Sequence, residues 1–402
     1  RDVPSIPVLE PPFPVRKAHY RVHDVRWRCD GDVRGARGGP LRLSIALDAA
    51  RTDTRLTASG GTLALRRDAR TPERTTVDLR TVPAAWAEAL VRQGWSDGQL
   101  RAGTLDGEVR IDAPPERPLR ITADLALRSV ALESDTGDVA GDALDADLDL
   151  DLRLPAGRTL LTLDGQLRGG ELLFGNAYLA LPDTPVGLGL TLAREDGRDW
   201  DISRMRWDDG TTLRVDGHAR LRPDFTVDAL ALEIDSADAR ALPARYLSGW
   251  LGLAGLSGLS LEGGLATRLS IEDGALRDAR LRLRDLDVGD TSERFRFDRL
   301  TGAVRYSTHA PVRSSFAWRG GALYGMPFDA AAWTLLSGDG RLRLRDPVAL
   351  SFLGGRIGFE ALVLRPPAGD ESLRMQTALR LEGLDIGTLA KALDWPPFEG
   401  TL

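Results

Sequence analysis

Residues 143–167 read ALDADLDLDLRLPAGRTLLTLDGQL, and this stretch decides the fold class. From Leu144 to Leu154, apolar residues alternate with aspartates and an arginine. Successive side chains of a β-strand point to opposite faces, so a strand here has one apolar face and one charged face. A helix would scatter the same leucines around its axis. Pro155–Gly157 is typical of a turn, and the alternation resumes at Leu161 and Leu163, which together predict a β-hairpin.

The charged face of this strand carries Asp145, Asp147, Asp149 and Asp151. It is open to two interpretations, a solvated outer face or a ladder of calcium ligands. Carboxylates on one face of a strand lie roughly 7 Å apart. Calcium sites instead use a curved loop that also supplies carbonyl oxygens. The pattern therefore favours a solvated face.

The same alternation recurs along most of the chain. Period-two runs occur, among other places, at residues 41–47, 121–127, 188–192, 230–234, 279–283 and 377–381. Gly- and Asp-containing turn signals separate these runs. Strands joined by short turns are antiparallel, because parallel neighbours need long crossover connections. The sequence predicts an all-β, mainly antiparallel fold with a few short helices.

Helical patterns are few and fall at corresponding places. They occur near residues 83–90, 239–247 and 386–393, each after a strand and before a tryptophan (Trp95, Trp250 and Trp395). We expect these tryptophans to plug an open apolar face. The spacing of roughly 150 residues is too long for small solenoid repeats. It predicts a lead-in over 1–40 and a continuous antiparallel β-groove over 41–402, built of about three modules at approximately 41–110, 111–265 and 266–402.

Composition and motifs argue against several classes of function. The net charge is −6 with both signs mixed, and no basic stripe indicates nucleic acid as a partner. The sequence has no Gly-x-Ser-x-Gly elbow, no phosphate loop with lysine, and no dinucleotide fingerprint after a strand. The only cysteine is Cys29, and the four histidines lack a metal-binding helix spacing. We therefore expect no enzymatic activity, cofactor or metal.

The apolar strand faces are rich in leucine, while aromatic residues make up 6% of the chain. Open sheets of more than about ten strands curl, split or close. The chain could form sandwiches with dry cores, barrels, or a long U whose apolar interior stays open. Three short helices are too small to cover so much apolar sheet, and uncovered apolar surface marks a ligand or partner. Acyl chains would suit such a surface. We expect it to be lined by Leu148, Leu150, Leu152, Leu161, Leu163, Leu190, Leu213, Val215, Leu281, Leu283, Ile357 and Phe359.

The last 50 or so residues resemble a known family. The stretches Phe352–Phe359, Leu379–Trp395 and Phe398–Leu402 are similar to the AsmA-like superfamily, and most of all to its YdbH branch from bacterial envelopes. That branch has a Gly-Gly-Arg hairpin, a strand leading into a short helix, and a strand that ends in glycine. The Gly-Gly segments of Arg168–Gly175 and Arg319–Gly325 echo the hairpin.

This resemblance implies a taco-like groove that carries phospholipids through the periplasm between the inner and outer membranes. It also implies an N-terminal membrane anchor outside this chain, and no catalytic residues. The partners would be phospholipids, with the two membranes or small envelope proteins at the ends of the conduit.

Two other functions stay open. The chain could be a structural or scaffolding envelope protein of tandem β-sandwiches, whose apolar faces pack against each other without lipid cargo. It could also bind or degrade glycans, which would call for exposed aromatic platforms and a cleft with paired carboxylates.

Overall fold

A computed structural model describes residues 15–23, 26–34, 40–48, 50–58, 60–88, 92, 95–365, 374–392 and 395. These residues form 25 β-strands and a few short helical segments. The strand pairings are antiparallel, for example between Leu148 and Leu125 on neighbouring strands. The predicted all-β, mainly antiparallel fold is confirmed. The chain divides into two compact units, residues 1–165 and 166–402.

The first unit is a meander in which β1 to β9 each pair with the next strand in the sequence. A turn closed by the Arg158 N–H and the Pro155 carbonyl oxygen (3.0 Å) joins β9 to β10, so the predicted hairpin is confirmed. The strand β10 continues into the second unit. The strands are β1 (Val15–His23), β2 (Arg26–Arg34), β3 (Pro40–Leu47), β4 (Arg51–Ala58), β5 (Gly61–Asp68), β6 (Arg74–Pro83), β7 (Gly98–Asp112), β8 (Leu119–Ser134), β9 (Val139–Leu154) and β10 (Arg158–Arg168).

The second unit also consists mainly of strands paired with their neighbours in sequence. Its strands are β11 (Glu171–Phe174), β12 (Ala177–Ala180), β13 (Val186–Glu195), β14 (Trp200–Asp209), β15 (Leu213–Leu221), β16 (Val227–Ser236), β17 (Leu259–Glu272), β18 (Ala275–Asp290), β19 (Phe295–Ser307), β20 (Val312–Leu323), β21 (Met326–Gly338), β22 (Arg341–Leu344), β23 (Val348–Phe352), β24 (Gly355–Arg365) and β25 (Arg374–Glu382). From β13 to β21 the order of pairing follows the sequence. The short strands β22 and β23 both pair with β21 and with β24, and β24 pairs with β25.

Each predicted helical region contains a helical segment, and the middle one extends six residues beyond its predicted end, to Leu253. They are a 3₁₀ turn at Ala84–Ala87, a composite segment of Ala239–Ala241, Pro243–Leu247 and Ser248–Leu253, and an α-helix at Ile386–Ala392. The predicted helical residues 89, 90 and 393 lie outside the described residues, as do residues 1–14 of the lead-in and 398–402 of the family resemblance. The described part of the lead-in contains β1 and β2. The division into three modules stays a prediction.

Strand register places the predicted apolar residues on common faces. In the first unit, Leu150 is opposite Ala123, which is opposite Val109 on the next strand. In the second unit, Leu281 is opposite Thr267, and Val215 is opposite Ile234. Cross-strand neighbours on one face have Cβ atoms about 5 Å apart, so each row forms a continuous surface.

Several strand pairs contain β-bulges, at which the register shifts, and three of these bulges share one geometry. At each of them the register shifts beside a non-glycine residue with positive φ: Thr81 (49°), Ser129 (49°) and Arg299 (55°). Each of these backbone N–H groups donates to an aspartate on the adjacent strand, namely Asp106 (2.7 Å), Asp145 (2.8 Å) and Asp287 (2.5 Å). A bulge bends its strand and increases the local twist. The same device therefore bends strands in both units.

Candidate functional site

The second unit contains an open cavity of about 340 Å³ that is lined only by apolar side chains. Five strands contribute to it: β19, β20, β21, β23 and β24. Eight of the eleven lining residues are aromatic. The lining residues are Phe295, Phe297, Phe316, Trp318, Leu323, Phe328, Trp333, Leu350, Phe352, Ile357 and Phe359. None of the described residues that line the cavity is titratable, so this lining suits an apolar group rather than acid–base chemistry.

The aromatic rings of the cavity contact one another as a network. The centroids of Trp333 and Phe359 are 4.8 Å apart, and those of Trp318 and Trp333 are 5.6 Å apart. The ring of Phe297 packs edge-on against Trp318 at 5.5 Å. The indole N–H of Trp318 donates to the carbonyl oxygen of Asp329, which leaves the ring faces for apolar contact. Such pairs add to the stability gained from burial, so the wall of the cavity is preorganised.

Gly321 gives the cavity part of its shape. It is opposite Phe297 on one side and Phe328 on the other, in the register of β19, β20 and β21. A Cβ atom at this position would overlap the ring of Phe328 and the carbonyl oxygen of Arg296. Only glycine therefore allows the Phe328 ring to lie across the strand. Gly321 belongs to the Gly-Gly segment that the sequence singles out.

Two of the predicted groove-lining residues, Ile357 and Phe359, line this cavity. Leu283 does not line the cavity, but it lies in the same cross-strand row as the lining residue Phe316, because Gly302 is opposite both. The other predicted residues of the second unit lie farther along the sheet and do not line the cavity; they are Leu190, Leu213, Val215 and Leu281. All of the predicted residues in this unit are half-buried.

The remaining predicted residues lie on β9 and β10 in the first unit. Leu148, Leu150 and Leu152 alternate with carboxylates and are opposite Leu125, Ala123 and Ile121 on β8. Leu161 and Leu163 follow on β10. These five side chains are also half-buried.

The composite helical segment at 239–253 covers part of the apolar face of the second unit. Its buried residues Ala239, Leu242 and Tyr246 pack with Leu261 and Leu286, and the same cluster contacts Leu213 and Leu283. Two of the predicted groove residues therefore lie beside a helical cover.

A buried polar network anchors this cover. The Tyr246 hydroxyl donates to Oδ2 of Asp209 (2.9 Å) and accepts from Nε1 of Trp207 (3.1 Å). Arg245 pairs with the same carboxylate oxygen at 2.9 Å. Burial raises the pKa of Tyr246, and the nearby Asp209 carboxylate adds to the effect. Trp207 and Asp209 lie more than 30 residues before Arg245 and Tyr246 in the sequence, so the sequence alone does not show that these side chains meet.

The tryptophans differ from the sequence-based expectation. Trp250 and Trp395 have exposed fractions of 48% and 54%, so they do not plug an apolar face. Trp250 lies on the six-residue helix Ser248–Leu253, and both Trp250 and Leu253 are exposed. Trp95 is half-buried and its ring lies where a Cβ atom of Gly98 would be.

The aspartates of β9 are more than a solvated face. Asp145 accepts the Ser129 N–H, and Asp147 pairs with Arg128 at 2.6 Å. Asp151 binds both Arg120 and Arg153 at 2.9 and 2.8 Å. Among the described residues, no cluster of histidine, cysteine, aspartate or glutamate is arranged to hold a metal ion.

The aromatic wall is hidden in the overall composition, because its residues are averaged with a chain that is only 6% aromatic. The signal lies in the spacing of Phe295 with Phe297 and of Phe316 with Trp318. Residues two apart on a strand share a face, so both pairs predict aromatic faces. What the sequence does not show is that these faces line one cavity.

No protein-family model, curated protein or solved structure matches this chain. The resemblance to the AsmA-like superfamily stays a prediction. Within the described ranges, none of the helices has the length and apolar character needed to span a membrane.

Proposed function

We propose that this protein binds the acyl chains of phospholipids on its apolar strand faces and acts as a segment of a periplasmic conduit between the inner and outer membranes. Acyl tails would lie against the leucines and aromatic rings, while headgroups stay at the polar rim. The membranes, or small envelope proteins at the conduit ends, would deliver and accept the lipid. The location and the partners rest on the family resemblance.

The apolar cavity is the observation that carries this proposal. Its volume of about 340 Å³ is at the lower end of the usual range for ligand pockets. Burial of each acyl methylene would contribute about 0.8 kcal/mol. Because no polar group fixes the ligand at one position, a chain could move between neighbouring sites at low cost. Rows of half-buried residues such as Thr267, Leu281 and Val304 extend the apolar surface across neighbouring strands.

A second candidate function is a scaffold without lipid cargo. The observation in its favour is a cluster of well-buried residues in the same unit, formed by Trp318, Trp333, Leu335, Leu342, Leu350 and Leu362. Under this alternative the aromatic wall is one side of a dry core. The two functions differ in whether purified protein carries lipid.

Native mass spectrometry and organic extraction of purified protein test the proposal directly. We expect phospholipid to co-purify and to leave the protein on extraction. If no phospholipid is recovered, and added phospholipid does not bind, the conduit proposal is wrong and the scaffold is favoured.

Quenching of tryptophan fluorescence localises the bound chain. Phospholipid with brominated acyl chains should quench Trp318 and Trp333, because both line the cavity. A variant with both residues changed to phenylalanine should lose most of the quenching. Changing Trp250, which lies on the helical cover and does not line the cavity, should preserve it. Equal quenching in the two variants would contradict binding in the cavity.

Charged substitutions separate binding from folding. Leu150→Asp, Val215→Asp and Phe359→Asp each place a carboxylate on a half-buried apolar face. The conduit proposal predicts lost lipid binding with the fold retained, because the faces are open. The scaffold predicts unfolding, since a buried unpaired carboxylate costs several kcal/mol, about 3–5. Leu253→Asp, at a residue that is 73% exposed, is the matched control for both measurements.

A further inference from the structure

The polar face of the second unit carries a cluster of arginines. Two cavities of about 610 and 410 Å³ lie over strands β15 to β19, and the smaller one is lined by five arginines. Arg268 and Arg280 line both cavities. The arginines of the cluster are Arg214, Arg268, Arg280, Arg282, Arg284 and Arg305.

Strand register forces three of these cations side by side. Arg280 on β18 is directly opposite Arg268 on β17 and directly opposite Arg305 on β19. Arg282 follows two residues later, on the same face as Arg280. Like charges directly opposite each other destabilise a sheet. The arrangement therefore costs stability unless an anion compensates it.

Carboxylates neutralise only part of the cluster. Arg268 pairs with Glu233 at 3.1 Å, Arg214 with Asp208 at 3.2 Å, and Arg284 with Asp235 at 2.8 Å. Two further carboxylates line the cavities, Asp216 and Asp278. Asp278 lies 3.9 Å from His309. Among the described residues, neither Asp216 nor Asp278 forms an ion pair with the remaining arginines of the cluster.

Arg280, Arg282 and Arg305 have no ion-pair partner within the described part of the chain. Nε of Arg280 is buried and lacks a hydrogen-bond partner. The charge of Arg305, followed by partial burial and the charges of Arg282 and Arg268, lowers the pKa of Arg280. The protein thus presents three guanidinium groups, one of them with an unsatisfied buried donor.

We infer that the cavities over β15 to β19 form a binding site for a phosphate group, held between Arg280 and Arg305 with Arg282 beside them. Guanidinium groups bind phosphate oxygens with paired, charge-assisted hydrogen bonds. A doubly charged phosphate would relieve the repulsion across the strands and satisfy Nε of Arg280. Arg280 and Arg282 point to one face of β18, whereas Leu281 and Leu283 point to the other face. Phosphate binding therefore does not depend on acyl-chain binding. The ligand is a phosphate monoester or inorganic phosphate, either free or as a lipid headgroup.

Binding measurements distinguish these sources. Calorimetry of the purified protein with inorganic phosphate and with glycerol phosphate tests free ligands, and sedimentation with vesicles of phosphatidic acid in phosphatidylcholine tests the headgroup. Binding in either arm supports the site, and the arm that binds identifies the source. Absence of binding in all arms overturns the inference.

Variants assign the binding to this cluster. Arg280→Gln and Arg305→Gln should each weaken binding at least tenfold, about 1.4 kcal/mol. Arg343→Gln on β22, an exposed arginine outside both cavities, should leave it unchanged. Equal losses in all three variants would show nonspecific attraction and overturn the inference.

A stability readout confirms that the variants fold. Without phosphate, Arg280→Gln should unfold at a higher temperature than the wild type, because it removes repulsion across the strands. Added phosphate should raise the unfolding temperature of the wild type more than that of Arg280→Gln, as expected for a ligand that binds only the folded state and binds the variant more weakly. A rise of equal size in both proteins would contradict the site.

Discussion

The backbone N–H of Ser129 donates to Oδ1 of Asp145 across 2.8 Å, at the point where β8 gains an extra residue against β9. Leu127 is opposite Ala146 and Val130 is opposite Leu144, so three steps on one strand match two on the other. The bulge takes the Ser129 N–H out of the regular hydrogen-bond pattern between the two strands, and the Asp145 carboxylate accepts a hydrogen bond from it instead. Asp145, which lies on the polar face of β9, is therefore also part of the bend.

Substitution of this aspartate tests its role. Asp145→Ala should lower the free energy of unfolding by about 1.5–3 kcal/mol, because a hydrogen bond to a charged group is lost. Asp149→Ala on the same strand is the control. Asp149 is exposed and directly opposite Asp124, so its removal should be neutral or slightly stabilising. Urea unfolding of the two variants checks both values, and similar losses would contradict the assignment.

The pairing of Asp151 predicts a pH dependence. Hydrogen bonds from Arg120 and then Arg153 lower the pKa of Asp151 to about 2. Since the unfolded value is higher, about 3.9, the stabilisation is complete above about pH 4 and is lost as the pH falls through about 2. Asp151→Asn should cost about 1 kcal/mol at pH 7, because the pair is partly solvated.

Urea unfolding of wild type and Asp151→Asn at several pH values measures this difference. The difference should shrink between pH 4 and 2, and Arg120→Gln should show most of the same behaviour. A difference that stays constant over this range would rule out the ion pair as its source.

The shape of the aromatic cavity depends on Gly321. Gly321→Ala should destabilise the protein by about 1–3 kcal/mol, because the new methyl group overlaps backbone and ring atoms that cannot both move. Gly338→Ala on β21 is the control, since a Cβ atom there meets no neighbour within 4 Å. Thermal unfolding should separate the two variants clearly. If both retain wild-type stability, the Phe328 ring does not need Gly321.

The Tyr246 hydroxyl should stabilise the packed position of the helical cover at 239–253. Tyr246→Phe leaves Asp209 without one of its donors and should cost about 1–3 kcal/mol. Burial raises the pKa of Tyr246, so the folded state favours the neutral phenol. Its contribution is present below about pH 10 and is lost as the pH rises beyond that value.

Hydrogen exchange of residues 243–253 measures the opening of this cover. In the wild type, protection should fall above about pH 10, beyond the general effect of pH on exchange. Tyr246→Phe should lose protection already at neutral pH, whereas Tyr324→Phe, at an exposed tyrosine, should not. Unchanged protection in Tyr246→Phe would show that the network does not anchor the cover.

The strands, the opening hairpin and the short helices could be predicted because their signals are local. Alternation and turn residues lie within a few positions of each other, as at Pro155–Gly157. The bulges could not be predicted in the same way. Ser129 interrupts the alternation that runs to Leu127, but only its pairing with β9 shows that an extra residue is accommodated there.

The cavity could not be predicted from any single stretch of the sequence. Phe297 and Phe359 are far apart in sequence, and both reach the cavity only through the register of several strands. The same is true of the arginine cluster, where Arg280 and Arg305 are ordinary exposed-face residues until their strands pair. Leu150 and its neighbours were predictable as an apolar face, while the lipid that would cover them stays a proposal.

The meander of the first unit has an evolutionary consequence. Each strand from β1 to β9 depends on its neighbours in the sequence, so duplication or deletion of a whole hairpin leaves the remaining pairs intact. Stability in such an array is close to a sum of nearest-neighbour contributions. A lineage can therefore change the length of this protein two strands at a time, without redesigning any core.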